Sequence, residues 1–374
     1  MLARDLTQAL KTEARRLGFT LAAACPAVDA RGIHRLHSWL AAGYAGEMEY
    51  LSRRAAAYEN PRSVLDGARS LLMLAVDYRT ADSAPPAKGQ GRVARYAVGR
   101  DYHDVLRERL NRLAEHVREL SPGAVARGVV DSAPILEREF AGLAGLGWIG
   151  KNTMLINKQA GSWFFLAALA TDATLEYDAP HAANHCGTCR ACLDACPTGA
   201  FVEPYVLDAR KCVSYLTIEL KGTVPRDLRE GVGAWVFGCD VCQEVCPWNH
   251  DAPLSVDLDL APRGDRGALD LAELFSLDGA AFRARFRDTP LWRPRRRGML
   301  RNAALVLGNQ RAAECVPALV LGLNDGEPLV RGAAAWALGK IGGDMATAAL
   351  AARREVEDDI DVTIEIDAAL ADET

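Results

Sequence analysis

Eight of the ten cysteines fall between Cys186 and Cys246, and their spacing indicates a specific chemistry. The segment from Cys186 to Pro197 reads C-x2-C-x2-C-x3-C-P, which is the spacing of bacterial ferredoxins. In that pattern three thiolates on one tight loop bind a single [4Fe–4S] cluster, and the fourth cysteine reaches a neighbouring cluster. The spacing therefore predicts iron–sulfur electron transfer.

A second motif, running from Cys239 to Pro247, lacks the leading cysteine of that pattern, and Cys212 can supply it from upstream. If the fourth cysteine of each motif binds the cluster of the other motif, all eight thiols serve as ligands. A tetrahedral zinc site would more naturally use two C-x-x-C pairs and has no need of the Cys-Pro endings. The predicted ligand sets are Cys186, Cys189, Cys192 and Cys246 for one cluster, and Cys212, Cys239, Cys242 and Cys196 for the other.

The other two cysteines, Cys25 and Cys315, lie in apolar sequence and are predicted to be small buried hydrophobic residues. The N-terminus has no apolar signal-type segment, and no run of eighteen apolar residues occurs. We therefore expect a soluble, cytoplasmic protein without a membrane partner, in which cysteines bind metal rather than form disulfides.

Two clusters conduct electrons but do not transform a substrate, so the residues before them are expected to hold a substrate or a second cofactor. Apolar residues recur at helical spacing from Asp5 to Leu17 and from Asp104 to Leu120. Apolar runs at Ser70 to Tyr78 and at Ala126 to Asp131 resemble buried strands. The N-terminal region is therefore predicted to have an α/β or α+β fold.

A match to the dinucleotide-binding pattern G-x-G-x-x-G occurs from Gly145 to Gly150. That fingerprint requires a strand before the first glycine and a helix after the third. Residues Pro134 to Leu146 instead have the pattern of a helix that the glycines terminate. We interpret the match as coincidental.

A repeat dominates the C-terminal region, after a Pro- and Asp-rich connector at 249–266. The pattern of Arg301 to Gly308 recurs from Arg331 to Gly339, with a weaker echo from Val362 to Leu370. Such an interval is typical of paired helices in an α-solenoid, and the second copy resembles HEAT-like repeats. The predicted division is 1–178 for an N-terminal domain, 179–255 for an inserted ferredoxin-like two-cluster module, and 256–374 for the connector and the HEAT-like helices.

Basic residues are concentrated between Arg283 and Arg311, where nine arginines stand against the single acid Asp288. This segment, the arginine block, has a net charge of about +8, although the whole chain carries −5. A concentrated basic segment on an acidic chain suits the binding of a polyanion at one place. The alternative is a solvated helix face that compensates nearby acids such as Asp265 and Glu273.

Several segments together resemble the epoxyqueuosine reductase family, cobalamin-dependent iron–sulfur enzymes of tRNA modification. They are 93–103, 130–138 and 147–157, both cysteine motifs with Cys212 between them, and the HEAT-like tail. The resemblance implies an oxidoreductase that converts epoxyqueuosine at the wobble position of tRNA to queuosine. It also implies that electrons pass through the two clusters to a cobalamin bound by the N-terminal core.

Asp131 matches the catalytic acid of that family, and a partly desolvated carboxyl group with a raised pKa could protonate the departing oxygen. The sequence Asp131 to Pro134 also resembles an N-cap that opens a helix. Other cobalamin-binding loops have the pattern D-x-H-x-x-G, and in this chain Leu106 stands at the place of the glycine after His103. We therefore expect a structural role for His103. By resemblance, the cobalamin contacts are Ala94, Asp131, Leu155, Asn157, Leu166, Ser214 and Cys242.

By the same resemblance, the partners are a tRNA anticodon region and an external electron donor such as a ferredoxin or flavodoxin, with the chain acting as a monomer. Family members often carry an arginine shortly before the proline that aligns with Pro61. This chain has Tyr58 at that place and arginines only earlier, at Arg53 and Arg54, so the family's charged contact to the cobalamin is not carried over here. The predicted tRNA-binding residues are Lys221, Arg293, Arg295, Arg296 and Arg297.

Two other functions remain open from the sequence. A corrinoid reductase of the reductive dehalogenase type would share the catalytic core, but its small substrate needs neither the arginine block nor the repeats. A non-catalytic electron carrier with a HEAT interaction platform would leave Asp131 and the segment 147–157 without a role.

Overall fold

The computed structural model describes residues 1–81, 85–264 and 266–371, with strands and helices intermixed up to residue 270 and helices alone after it. Its strands are β1 Leu21–Pro26, β2 Ser70–Asp77, β3 Gln90–Val93, β4 Ala126–Val129, β5 Trp148–Ile149, β6 Leu155–Ile156, β7 Phe164–Thr171, β8 Phe201–Glu203, β9 Val206–Leu207, β10 Trp235–Phe237 and β11 Ala268–Asp270. Its α-helices are α1 Ala3–Arg16, α2 Ile33–Ala41, α3 Glu49–Arg53, α4 Tyr102–Leu120, α5 Glu137–Leu143, α6 Ala191–Asp194, α7 Val213–Ile218, α8 Arg226–Arg229, α9 Val241–Glu244, α10 Leu271–Ser276, α11 Gly279–Phe286, α12 Arg295–Gln310, α13 Val316–Leu323, α14 Pro328–Ile341, α15 Asp344–Arg354 and α16 Ile360–Ala371.

The N-terminal sheet has the strand order β1-β2-β7-β4, and every neighbouring pair is antiparallel. All eight residues of β2 are buried, because both faces of the sheet are covered. Alternate residues of β2 pack into two separate cores: Leu72 and Leu74 lie with α1 and α4, and Leu71 and Met73 lie with α5. The antiparallel pairing makes this region α+β.

Most of the predicted N-terminal elements are present. Helices α1 and α4 and strand β2 lie where the apolar spacing predicted them. Strand β4 ends at Val129, two residues before Asp131, because Asp131 adopts a left-handed backbone conformation with φ +51° that a strand cannot continue.

The helix predicted from Pro134 to Leu146 is shorter than expected. It begins at Glu137 and ends at Leu143, and Gly145 follows with φ +86°. The G-x-G-x-x-G segment then leads into the antiparallel hairpin of β5 and β6. No helix follows its third glycine, so the interpretation of this match as coincidental is confirmed.

A three-stranded sheet connects distant parts of the sequence. Strand β3 pairs in parallel with β10, which precedes the second cysteine motif, and antiparallel with β11, which follows the connector. The three predicted segments thus share one sheet, and their division at 178 and 255 stays a prediction.

The C-terminal helices stack as the repeat predicted. The recurring sequence lies on α12, α14 and α16, which pack side by side, and α13 and α15 lie between them in the chain. Gly308 and Gly339 occupy equivalent places in two copies, and a methyl group at Gly339 would lie 2.6 Å from the Cβ of Ala369. The recurring glycine therefore permits the close approach of successive helices. Within the described ranges, no helix is both long and apolar enough to cross a membrane.

Candidate active site and cluster-binding region

The first predicted ligand set lies around one cavity of about 220 Å³. Short helices α6 and α9 pack against each other, and each carries a cysteine motif. Cys246, from the second motif, faces this cavity together with the three leading cysteines of the first motif. The residues that line it are Cys186, Cys189, Cys192, Cys246, Lys151, Asn152, Ile156, His185, Ala191, Pro247 and Trp248.

Electrostatic coupling among the thiols follows the same grouping. Burial, followed by the charges of the nearby Cys246, Cys186 and Cys189, raises the pKa of Cys192 to about 11. Burial likewise raises the pKa of Cys239 to about 12, with contributions from Cys212, Asp240 and Cys196. A bound cluster would therefore stabilise thiolates that burial disfavours.

The two sets are adjacent. Burial raises the pKa of Cys242 well above its usual value, and the causes include Cys212 and Cys239 from its own set and Cys192 from the other. The structure thus brings the eight cysteines into two neighbouring groups. Cys25 and Cys315, predicted to be buried hydrophobic residues, are 0% and 6% exposed.

Asp131 lies on the loop after β4, with about half of its side chain exposed. The Tyr102 hydroxyl donates to its Oδ2 at 2.9 Å, and Nε2 of His103 lies 3.1 Å from the same oxygen. Its own backbone N–H donates to Glu137 at 2.8 Å. Helix α5 has Leu136 at its N-cap position with no side-chain cap, so the carboxylate of Asp131 does not cap it, and the alternative N-cap interpretation is wrong.

His103 is held between two carboxylates. Its Nδ1 lies 2.8 Å from Asp101, which also caps α4, and its Nε2 faces Asp131. Burial opposes the protonated form, but hydrogen bonds to Asp101 and Asp131 outweigh it and raise the pKa of His103 to about 9. The imidazole is therefore charged at neutral pH and can donate a proton.

The expected raised pKa of Asp131 is not found. Its partial burial would raise the pKa, but the hydrogen bond and charge of His103, with smaller contributions from Tyr102 and Arg293, lower it. Burial raises the pKa of Glu137 to about 8 instead. At neutral pH the labile protons of this group thus reside on His103 and Glu137 rather than on Asp131.

Tyr96 connects this network with the second set of cysteines. Its ring lies 6.1 Å from that of Tyr102. Tyr96 also packs against the buried apolar group that contains Ala94, and Cys212 and Cys239 pack against the same group. Asp131 and the second cluster site are therefore separated by a short series of packed side chains.

The predicted cobalamin contacts belong to elements that border this region. Leu166 is the one residue of β7 that is not buried, and it lies on the same face of the sheet as Leu155. Ala94 follows β3, Ser214 lies on α7, and both are uncharged.

Two further predicted contacts take part in hydrogen bonds of the protein. Asn157 uses its side chain within its own loop, donating to the carbonyl of Leu146 and accepting from the backbone of Gln159 and Ala160. The carbonyl of Cys242 accepts from Asn152 at 3.3 Å. Hydrogen bonding thus joins the β5–β6 segment to α9.

The arginine block divides into exposed and internal side chains. Arg297 is exposed, and Arg295 is exposed and lies 4.4 Å above the ring of Trp292. Arg296 donates to the carbonyl of Leu277 and to Asp325. Only some of the arginine side chains of the block therefore face solvent. Asp265, one of the acids expected to compensate their charge, lies outside the described residues.

Arg301 is only 1% exposed and therefore does not belong to the basic surface. Its guanidinium donates to the carbonyls of Leu216, Leu220 and Gly222. These carbonyls flank Lys221, whose side chain is exposed. Arg301 therefore positions the segment that carries Lys221.

Arg293 links the block to Asp131. Its Nε lies 2.8 Å from Glu219, and its charge contributes to the low pKa of Asp131. Burial, followed by the charge of Glu219, raises the pKa of Tyr50 to about 12, and Arg293 and Asp131 also act on this tyrosine. These side chains form the border of the Asp131 site on the side of the repeats.

Sequence reasoning missed Tyr102 and Glu137 as members of the site, and it expected only a structural role for His103. All three lie within the segments that carry the family resemblance, 93–103 and 130–138. Their position in those segments was the only signal, since nothing in their spacing indicates a contact with Asp131.

Comparisons with known proteins agree with this architecture. Family models match at residues 59–132 (epoxyqueuosine reductase QueG), 185–249 (4Fe-4S double cluster binding domain) and 297–371 (HEAT repeats). The second of these confirms the prediction of two [4Fe–4S] clusters. The epoxyqueuosine reductase of Pseudomonas aeruginosa is 44% identical over 347 residues, which cover 90% of this chain and 95% of that protein.

Solved structures give the same result. A crystal structure of epoxyqueuosine reductase with an epoxyqueuosine-modified tRNA-Tyr stem loop matches with a TM-score of 0.92 and 31% identity, covering 98% of each chain. A structure of the Bacillus subtilis enzyme, with its catalytic aspartate loop swung out of the active site, matches with a TM-score of 0.90 and 30% identity, covering 98% of this chain and 99% of that one. The chain belongs to the epoxyqueuosine reductase family.

Proposed function

We propose that this protein reduces the epoxide of epoxyqueuosine in tRNA to the alkene of queuosine, with Asp131 at the reacting centre. Removing the epoxide oxygen as water consumes two electrons and two protons. The observation that carries the proposal is the position of Asp131, which is hydrogen-bonded to His103 and whose pKa is lowered in part by the charge of Arg293 from the arginine block.

The residues around this site fit a cobalamin. Of the predicted contacts, Leu166 and Ser214 are uncharged and partly exposed, as suits the face of a large macrocycle, whereas Ala94 and Leu155 are buried, at 0% and 2% exposed. Leu166 is partly exposed on a strand whose other residues are buried, which leaves an apolar surface beside the Asp131 loop. When bound, cobalamin supplies the low-valent metal chemistry that opens the epoxide. These contacts remain part of the proposal.

The protein's own residues deliver the proton. His103 holds it at Nε2, 3.1 Å from Oδ2 of Asp131, and Tyr102 fixes the same oxygen. Asp131 can pass that proton to the departing oxygen and then be reprotonated by His103. His103 thus acts as a general acid through Asp131. The half-exposed carboxyl group can reach a substrate, whereas His103 is more enclosed.

The cluster ligands suggest a direction of electron flow. Cys189, in the first set, is exposed, whereas Cys212 and Cys239 in the second set pack near Tyr96 and the Asp131 site. We infer that an external ferredoxin or flavodoxin reduces the first cluster and that the second one serves the active site. The protein acts as a monomer in the cytoplasm in this proposal.

The tRNA binds across the exposed basic residues that border the site, Lys221, Arg293, Arg295 and Arg297. Arginine pairs bidentately with phosphate and stacks on bases. The guanidinium of Arg296 already donates hydrogen bonds to the carbonyl of Leu277 and to Asp325. Among the predicted RNA contacts it therefore has the fewest donors left for phosphate.

Changing Arg297 to Ala is expected to weaken binding of the tRNA stem loop, because this side chain is exposed. Loss of one phosphate contact should reduce the slope of log K against log salt by roughly 0.7 to 0.9. Fluorescence anisotropy over a salt series measures both quantities. Arg118→Ala removes an exposed arginine at the end of α4 and controls for net charge; equal effects of the two variants would contradict the assigned surface.

The reaction itself is tested by incubating anaerobically reconstituted protein with cobalamin, dithionite and epoxyqueuosine-containing tRNA. Nucleoside analysis by mass spectrometry should show a loss of one oxygen atom from the modified nucleoside. Protein that contains both clusters and binds cobalamin but leaves the epoxide intact would contradict the proposed function. Dehalogenation of small halogenated phenols under the same conditions would favour the dehalogenase-type alternative.

A further inference from the structure

Four aromatic rings surround one end of the first cluster site. The ring of His185 lies 4.7 Å from Trp148, 5.4 Å from His181 and 5.8 Å from Trp248, measured between ring centroids. Trp148 and Trp248 also pack against Cys186 and Cys246. This aromatic group has no part in the proton delivery or the RNA binding described above.

Three nitrogen atoms in the group are buried without a hydrogen-bond partner among the described residues: Nε1 of Trp148, Nε2 of His181 and Nε2 of His185. An unsatisfied buried donor costs about 1–3 kcal/mol, so such atoms are rare in native proteins. Nε1 of Trp148 is a donor and each imidazole Nε2 donates in one tautomer, so three unpartnered atoms in one place point to a hydrogen-bonding group that the described residues do not supply.

Of these three residues, only His185 lines the cavity that the four thiols share. It directly precedes Cys186 in the sequence, and Asn184 accepts from the backbone N–H of Cys186 at 2.9 Å, which fixes this loop. The cavity is otherwise lined by thiols and by residues that include Ile156, Ala191 and Pro247. Lys151 is a donor, and the amide oxygen of Asn152 already accepts from the backbone N–H of Met154 at 3.2 Å, so the acceptors left within the cavity are the sulfur atoms.

We propose that His185 donates a hydrogen bond from Nε2 to the [4Fe–4S] cluster of the first ligand set and thereby raises its reduction potential. The surrounding rings of Trp148, His181 and Trp248 hold the imidazole in place. Hydrogen bonds to cluster sulfur stabilise the reduced, more negatively charged state. His185 is thus a positioning and tuning residue for the cluster at which electrons enter.

The proposal rests on the proposed function, because it uses the ligand set assigned there. In His185→Leu the donor is lost, and the ratio of reduced to oxidised first cluster at a fixed potential is expected to fall about tenfold, equivalent to about 59 mV for a one-electron couple. In His185→Gln, which keeps an N–H donor, much of the shift should be rescued. His37→Leu is the matched control, since this imidazole is exposed on α2 and belongs neither to the cavity lining nor to the aromatic group.

The measurement is a dithionite titration of the full-length protein followed by electron paramagnetic resonance, with iron analysis of each variant. Two intact clusters with unchanged potentials in His185→Leu would overturn the role of His185 alone. An iron content of wild-type protein well below about eight atoms per chain would instead contradict the assigned ligand sets.

A second experiment does not depend on the stability of a variant. In wild-type protein containing ¹⁵N-labelled histidine, electron–nuclear double resonance of the reduced clusters should detect one histidine nitrogen and one exchangeable proton coupled to a cluster. Absence of both couplings would overturn the proposal even if His185→Leu failed to retain iron.

Discussion

Replacing Asp131 with Asn is expected to lower kcat for epoxyqueuosine reduction by about 10² to 10⁴, the usual contribution of a positioned general acid. The amide cannot accept a proton from His103 and pass it on, although it can still accept the hydrogen bond from Tyr102. Because Asp131 contributes no positive charge to the RNA surface, the affinity for the tRNA stem loop should change little. Single-turnover assays with dithionite and stem-loop binding by anisotropy measure the two quantities.

The pH dependence gives a more specific expectation. His103 has a pKa raised to about 9, so the proton it supplies is present below that pH and is lost as pH rises through about 9. The wild-type rate should therefore fall above about pH 9. In Asp131→Asn one of the two carboxylate partners of His103 is removed, and the fall should move to lower pH.

Asp104→Asn is a suitable control, since Asp104 is an exposed acid in the first turn of the same helix as His103 and pairs only with Arg107 among the described residues. It should leave both the rate and the pH profile close to those of wild type. Wild-type turnover in Asp131→Asn, with an unchanged pH profile, would remove Asp131 from the mechanism.

The cysteine motifs and the helical repeat could be predicted from the sequence because each depends on local spacing. Three thiols within seven residues must share a loop, and a recurring Leu-Gly on successive helices must lie at equivalent positions of the stack. Such patterns do not depend on how distant segments meet.

The Asp131 network could not be predicted in the same way. His103 and Asp131 lie on α4 and on the loop after β4, and the contact depends on how the helix packs on the sheet. The left-handed backbone of Asp131, stabilised by its N–H bond to Glu137, has no residue-type signature beyond the tolerance of aspartate for that conformation. The groups with a raised pKa are therefore His103 and Glu137, whereas the sequence suggested Asp131.

Arg301 illustrates the same limit for charge. In the sequence it is one more arginine of a basic segment, but its guanidinium satisfies three carbonyl oxygens at the end of α7. A count of charges cannot distinguish a side chain that faces solvent from one that binds the protein's own backbone. Its burial shows that this arginine stabilises the surface on which Lys221 lies rather than forming it.

In the crossed arrangement, the fourth cysteine of each motif binds the cluster of the other motif. This arrangement predicts how much iron double variants retain. Cys192→Ala combined with Cys246→Ala should remove only one cluster, because both thiols belong to the first set and line the same cavity. Iron should fall from about eight to about four atoms per chain, and one electron paramagnetic resonance signal should remain. Cys192→Ala combined with Cys239→Ala should remove both clusters.

If each motif instead bound its own cluster, the first double variant would lose both clusters, since Cys192 and Cys246 come from different motifs. Cys25→Ala is the matched control, because this buried cysteine lies outside both sets and should leave iron unchanged. Retention of about four iron atoms by the Cys192/Cys246 variant, with loss of nearly all iron from the Cys192/Cys239 variant, would distinguish the crossed arrangement from the uncrossed one. Since Cys246 follows α9 but faces the cavity of the first motif, a crossed pair of ligands requires the two motifs to lie side by side, as the packing of α6 against α9 places them.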